Sequence, residues 1–267
     1  VQKEFGSELM TFYAGISYKH CLIMYNATDK MSFTPPHNII GKSISEYLPK
    51  GDYCDLLLDI QKRSFDFLTK HPINAARVAK GLNPANSLWL WGQGRRMSLS
   101  SFESVHGISG AAVTAVDLIK GIALCADMSL VDVDGATGNL HSNFDGKAQT
   151  SIEWFKKGVD LVYTHLEAPD ECGHQGDVAG KIRSIEIIDE KIVKPIYEYL
   201  VSTGEDFRIL ITPDHPTPLT TRGHASDDVP YMIYRSDREV DGTAPFCERV
   251  CATTGNFIDE GFHAISR

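Results

Sequence analysis

The sequence predicts an α/β fold in which a mostly parallel β-sheet is flanked by helices and joined to a smaller α+β domain. Strand-like and helix-like segments alternate over residues 106–267, which is typical of parallel sheets covered by helices. Two short clusters of Asp and His follow strand-like runs, and ligands gather at the carboxyl ends of parallel strands. Residues 1–105 have a mixed pattern without these clusters, so we expect two domains, 1–105 and 106–267.

The first of these regions, 1–105, is predicted to begin with paired strands at 10–13 and 17–25, separated by a turn at Gly15. Apolar residues at helical spacing predict an amphipathic helix over 52–70, and a shorter helix is expected over 74–79. The aromatic run at 87–91 predicts a further strand.

The second region, 106–267, is predicted to alternate between strands and helices. A long helix is expected to kink at Pro195, because proline removes one backbone donor. We predict strands over 111–114, 130–133, 161–163, 208–212 and 230–234, helices over 115–123, 146–158 and 177–200, and terminal helix and turns over 245–262.

Both Asp/His clusters stand just after strand patterns. Asp170 and His174 are four residues apart, whereas Asp214 and His215 are adjacent and His224 follows nine residues later. Carboxylates together with imidazoles suit zinc or manganese. A single Asp or His after a strand is more often a cap or turn residue, so the prediction of a metal site depends on the convergence of all five. We expect two neighbouring strand ends to bring them into one crevice.

The overall composition narrows the class of protein. A formal net charge of −9 argues against a nucleic-acid binder that works through bulk charge, although local Lys and Arg can still bind an anionic substrate. No run approaches the roughly 20 apolar residues of a membrane span, so no membrane partner is expected. The six cysteines form no CxxC pair, which favours a reduced, cytoplasmic protein.

Five stretches carry a family resemblance: HLEAPDECGHQGD, TPDHPTPLTTRGHASDDVPYMIY, ANSLWLWGQG, TAVDLIKGIAL and GATGNLHSNFDGKA. Together they resemble cofactor-independent phosphoglycerate mutase of the archaeal type, in the alkaline phosphatase superfamily. The resemblance covers essentially the whole chain. It implies an alkaline-phosphatase-like α/β domain with an inserted substrate domain, and the glycolytic and gluconeogenic interconversion of 3-phosphoglycerate and 2-phosphoglycerate through a phosphoserine intermediate.

The resemblance also implies two divalent ions, Mn²⁺ or Zn²⁺, with Mg²⁺ or Co²⁺ as further candidates. Asp170, His174 and His224 would hold one ion, and Asp214 and His215 the second. In the family, an Asp near the N-terminus and a nucleophilic Ser complete the second site, and we find neither segment here. We therefore expect this chain alone to be inactive and to bind metal weakly, with an incomplete sheet edge that favours a homo-oligomer.

Cationic side chains should point at a phosphoryl group in transfer, because its oxygens share negative charge. Lys120 is the first candidate for catalysis and substrate binding, and Lys19, Arg95 and Arg96 are further candidates for substrate binding. Each of these could instead be a solvated surface charge, and for Lys147 we favour that alternative.

The identity of the substrate is left open by Lys19, because the family commonly has arginine at this position. Lysine lacks the planar guanidinium that grips a carboxylate or phosphate with two hydrogen bonds. A related phosphotransferase of the homoserine-kinase type and a catalytically incomplete fragment or binding domain therefore stand as alternatives.

Overall fold

The computed structural model describes residues 1–15, 19–39, 41–238, 240, 242 and 245–266, which fall into two units, Val1–Met97 and Ser98–Arg267. The division lies before the 105/106 boundary that we expected. The reason is a short helix over Phe102–His106, whose first residue donates its N–H to the Ala126 carbonyl at 2.7 Å. That hydrogen bond attaches the segment to the second unit.

The first unit begins with a helix, α1 (Gln2–Phe5), and an antiparallel strand pair, β1 (Met10–Tyr13) with β2 (Cys21–Met24). The pair agrees with the predicted hairpin, although residues 17 and 18 of the predicted second strand lie outside the described part. A smaller antiparallel pair follows, β3 (Met31–Ser32) with β4 (Lys50–Gly51), and two short 3₁₀ turns cover Pro36–Ile39 and Ile44–Glu46.

Two helices complete the first unit, α2 (Cys54–Thr69) and α3 (Pro72–Ala79). As the apolar spacing predicted, α2 buries one face, and Ile60 on that face packs with Phe5 and Met10. Pro72 begins α3, where its fixed φ suits the first turn and its missing N–H leaves no bond unmade.

The strand predicted over residues 87–91 is wrong, because this segment forms no ladder with any strand of the described residues. Its polar groups are satisfied by individual partners instead. The Leu88 N–H donates to Ser64 Oγ at 2.9 Å, and Trp89 Nε1 donates to the Thr34 carbonyl at 2.8 Å. The aromatic run therefore reflects packing rather than sheet pairing, and Leu88 packs against the cluster that contains Ile60 of α2.

The second unit contains a three-stranded parallel sheet formed by β5 (Gly110–Val113), β6 (Ser129–Leu130) and β7 (Leu161–Thr164) in the order β6-β5-β7. The central strand β5 is buried, as a parallel strand covered on both faces should be. This sheet and its helices confirm the predicted α/β class. The remaining strands, β8 (Arg208–Ile211) and β9 (Met232–Arg235), form a separate antiparallel pair.

The expectation that β7 and β8 are neighbouring parallel strands is therefore wrong for the described residues. Since β8 pairs with β9, the two metal-ligand clusters have to meet by another route.

Helices surround these strands. None of those within the described residues is both long enough and apolar enough to cross a membrane. In chain order they are α4 (Phe102–His106), α5 (Asp117–Cys125), α6 (Phe144–Lys156), α7 (Ala168–Gln175), α8 (Val178–Ile188), α9 (Lys194–Thr203) and α10 (Glu248–Cys251), and a 3₁₀ turn covers Gly261–Ser266.

The long helix expected over 177–200 is divided by a π-helical turn, Asp189–Val193, just before Pro195. Pro195 has no backbone N–H and so cannot donate a helical hydrogen bond. The wider π-helical turn accommodates the missing bond within an otherwise continuous helix. The turn also places Ile192 in a buried cluster with Phe144, Ala148 and Ala168.

Lys147 on α6 is only 1% exposed, so our expectation of a solvated charge is wrong. Its Nζ donates to the His165 carbonyl at 3.0 Å, just past the end of β7. Burial lowers the pKa of the Lys147 ammonium, and the Glu167 carboxylate acts in the opposite direction. The lysine thus ties α6 to the segment that leads into α7.

His165 belongs to the same buried polar group. Its Nδ1 lies 3.3 Å from the hydroxyl of Thr114, which is itself buried at the end of β5. Burial lowers the pKa of His165, and the Lys147 ammonium lowers it further, whereas Asp214 and Asp170 raise it.

We predict that Lys147→Ala lowers the free energy of unfolding by about 2–4 kcal/mol, because it empties a buried volume and removes a buried hydrogen bond. Lys156→Ala on the same helix is the control. Its ammonium pairs with Glu153 in solvent, so the change should be within about 0.5 kcal/mol. Urea unfolding measures both, and equal losses would contradict the buried role of Lys147.

We also predict that His165 makes the chain less stable at mildly acidic pH. Because its folded pKa lies below the unfolded value of about 6.5, the unfolded chain binds more protons below that pH. Stability should therefore fall as the pH drops from about 6.5 towards the folded pKa. His165→Asn should reduce the difference in unfolding free energy between pH 7.5 and 5.5, whereas His141→Asn, at an exposed position, should not. An unchanged difference in His165→Asn would refute this prediction.

Candidate metal centre

The first cluster lies on a helix that the sequence analysis missed. Ala168–Gln175, to which we assigned no element, forms α7 with a proline in its first turn and Gly176 (φ 70°) after its last. The four-residue spacing then places Asp170 and His174 on one face, with His174 Nε2 3.4 Å from Asp170 Oδ2. The signal was present in the sequence, since Pro near the start and Gly just past the end mark a helix.

The second cluster lies on the loop between β8 and β9, which returns to α7. The Arg222 carbonyl lies 2.9 Å from His174 Nδ1. A carbonyl can only accept, so Nδ1 carries the proton and Nε2 presents its lone pair. His224 Nε2 lies 3.2 Å from this Nε2 and 3.5 Å from Asp170 Oδ1. The loop thereby joins the two clusters.

These three side chains have the spacing that a tetrahedral ion requires. Zinc ligands at about 2.1 Å from the metal are about 3.4 Å from one another in a tetrahedron. The two imidazole Nε2 atoms are 3.2 Å apart, His174 Nε2 is 3.4 Å from Asp170 Oδ2, and His224 Nε2 is 3.5 Å from the other carboxylate oxygen, Oδ1. The donor atoms, one carboxylate and two imidazoles, are also a common zinc set. The residues therefore fit a divalent transition metal.

His215 extends the cluster. Its ligand atoms, with those of Asp170 and His224, all lie within 4.8 Å of one another, and its ring lies 3.7 Å from that of His224 between centroids. Asp214 Oδ2 is 3.4 Å from His215 Nε2. All five expected ligands thus belong to one connected group, although His215 lies close to the first set rather than only beside Asp214.

The four cationic residues that we expected to bind substrate lie in both units of the chain. Lys120, on α5, forms an ion pair with Asp132 at 2.5 Å. Since α5 follows β5 and Asp132 follows β6, both lie past the carboxyl ends of parallel strands, as Asp170 does after β7.

Lys19, Arg95 and Arg96 belong to the first unit, where all three are exposed. Arg95 pairs with Asp29 at 2.6 Å, and the guanidinium lowers the pKa of that carboxyl.

The sequence analysis also missed residues that support the cluster from behind. Thr217, which is 4% exposed, donates its hydroxyl to Asp170 Oδ1. Tyr163 on β7 has a raised pKa, first because of burial and then because of the Asp214 carboxylate. Neither residue type signals a metal site, and Thr217 and Asp170 are 47 residues apart in the chain.

Comparison with known proteins shows the family of this chain. A family model described as the metalloenzyme superfamily matches residues 20–261. A 2,3-bisphosphoglycerate-independent phosphoglycerate mutase of Methanothrix thermoacetophila is 45% identical over 249 residues, which cover 93% of this chain and 63% of that protein. The protein of the same name from Methanosarcina barkeri is 44% identical over 254 residues, which cover 95% of this chain and 64% of that protein. The chain thus spans less than two thirds of the length of these relatives.

A solved structure is also similar, that of the PH0037 protein from Pyrococcus horikoshii. It has 30% sequence identity and a TM-score of 0.62, and the match covers 74% of this chain and 51% of that one. The family model matches residues 20–261, which are most of this chain, and the chain therefore belongs to the metalloenzyme superfamily.

Proposed function

We propose that this chain is the metal-binding part of a 2,3-bisphosphoglycerate-independent phosphoglycerate mutase, which interconverts 3-phosphoglycerate and 2-phosphoglycerate. The observation that carries the proposal is the convergence of Asp170, His174 and His224, in which each imidazole Nε2 lies within 3.5 Å of the other or of a carboxylate oxygen, as ligands of one divalent ion do. The curated relatives of that name, 45% and 44% identical, support the choice of reaction.

In this proposal, Asp170, His174 and His224 hold one divalent ion, and Asp214 and His215 contribute to a second. Bound divalent ions would polarise phosphoryl oxygens and neutralise their charge during transfer. Nitrogen-rich donor sets favour Zn²⁺ or Mn²⁺ over Mg²⁺, with Co²⁺ as a further candidate. The Arg222 carbonyl holds His174 in the tautomer that exposes Nε2, so this ligand is oriented in advance.

The cationic residues would bind the anionic substrate. Lys120 lies past the carboxyl end of β5, and its exposed pair with Asp132 is weak enough for a phosphate to displace. Lys19, Arg95 and Arg96 remain our candidates for binding the carboxylate or phosphate of phosphoglycerate. We further propose a cytoplasmic enzyme that works without nucleic acid or membrane, and a homo-oligomer as its assembly.

The metal site is tested by metal content after dialysis against Zn²⁺ or Mn²⁺. Because we expect weak binding, the dialysis buffer holds the metal in excess, and we expect about one ion on the unchanged chain at equilibrium and none on the Asp170→Ala/His174→Ala variant. Glu260→Ala/His263→Ala is a matched control, because it removes an exposed carboxylate–imidazole pair elsewhere. Equal metal content in all three proteins would refute the site.

The reaction is tested in a hybrid, because we expect the 267-residue chain alone to be inactive. Residues 1–267 replace the matching segment of the Methanothrix thermoacetophila mutase, and conversion of 3-phosphoglycerate into 2-phosphoglycerate is measured. We expect turnover by the hybrid and a loss of at least about 100-fold with Asp170→Ala, since a ligand of the reacting centre is removed. A folded, metal-loaded hybrid that instead phosphorylates homoserine would replace the proposed substrate.

A further inference from the structure

Thr217 is the point at which the loop after β8 is fastened to the helices beneath it. Its carbonyl accepts from Lys181 Nζ, on α8, at 2.7 Å. On α7, Gly173 leaves room for it, since a Cβ there would lie 2.7 Å from the Thr217 carbonyl oxygen. The backbone of this residue is therefore held against both helices.

The side chain of Thr217 connects the two halves of the metal cluster. Its hydroxyl donates to Asp170 Oδ1 and lies 3.3 Å from His215 Nδ1. A hydroxyl has one proton, so towards the ring it can only accept. The Pro216 carbonyl, 3.4 Å from the same Nδ1, can also only accept. The proton is therefore on Nδ1, and the lone pair of His215 is on Nε2.

We propose that Thr217 is a positioning residue that presets one ligand atom on each half of the cluster. By engaging Oδ1 of Asp170, it leaves Oδ2 directed towards His174, 3.4 Å away. By accepting from Nδ1 of His215, it leaves Nε2 directed towards Asp214, also 3.4 Å away. This inference rests on the proposed metal site and adds a residue outside the set of ligands.

The hydroxyl, rather than the volume of the side chain, carries this role. Thr217 is 4% exposed, so a valine of nearly the same shape would fill the space. Valine would, however, remove the hydrogen bond to Asp170 and leave His215 Nδ1 with only the Pro216 carbonyl, 3.4 Å away, of the two acceptors described above. Loss of such an outer hydrogen bond typically weakens metal affinity about 10- to 100-fold.

The test compares Thr217→Val, Thr217→Ser and Thr221→Val by competitive titration of Zn²⁺ and of Co²⁺ against a chelating indicator. Thr221 is the matched control, because it is an exposed threonine of the same loop whose hydroxyl meets only carbonyls, at 3.4 Å. We expect Thr217→Val to bind about 10- to 100-fold more weakly, and Thr217→Ser and Thr221→Val to stay within about threefold of the unchanged chain.

Two further readouts separate positioning from packing. The visible absorption of bound Co²⁺ reports coordination geometry, so it should change in Thr217→Val and be restored in Thr217→Ser. A packing role predicts the opposite pattern, with a lower melting temperature of the metal-free valine variant but unchanged affinity and spectrum. Equal affinities in the valine variant and the unchanged chain would overturn this inference and leave the metal site standing. Failure of the unchanged chain to bind either metal would overturn the site and the inference together.

Discussion

The metal cluster depends on one constraint, the attachment of the β8–β9 loop to α7. Sheet pairing does not supply it, since β8 is hydrogen-bonded to β9 and not to β7 in the described residues. The attachment consists of the His174 contact to the Arg222 carbonyl and the Thr217 contact to Asp170. Each contact uses a side chain of the cluster itself or an immediate neighbour. The fold therefore positions the ligands by the same bonds that hold the loop in place.

This arrangement gathers the donor atoms of three imidazoles and two carboxylates in one place. His174 and His224 direct their Nε2 atoms at each other across 3.2 Å, and two carboxylates lie within the same group. A divalent ion converts this crowding into favourable coordination, and a ligand that binds only the folded chain stabilises it by mass action. We therefore interpret the cluster as a region where local stability and metal occupancy are linked, in a chain of net charge −9.

The α/β class expected from the sequence is confirmed, whereas the five side chains remain proposed ligands, and the argument that expected them to converge is only partly right. The strand-end argument holds for Asp170, which follows β7 closely, and fails for the antiparallel pair of β8 and β9. Pro169 and Gly176 could have predicted the helix α7. The position of Lys147 on the apolar face of α6 could have predicted its burial. Thr217 could not be predicted, because its partner Asp170 is 47 residues away and only the folded loop brings them together.

The proposed metal ligands and the proposed substrate-binding lysine differ in how firmly they are held. The ligands are fixed by neutral or carbonyl partners that do not compete for the ion, as the Arg222 carbonyl does for His174. Lys120 is instead paired with Asp132, whose side chain is 82% exposed. An exposed ion pair contributes about 0–1 kcal/mol, so a doubly charged phosphate can replace the carboxylate at little cost. Under the proposed function this difference suits phosphoryl transfer, because the ions must stay in place while the anion enters and leaves.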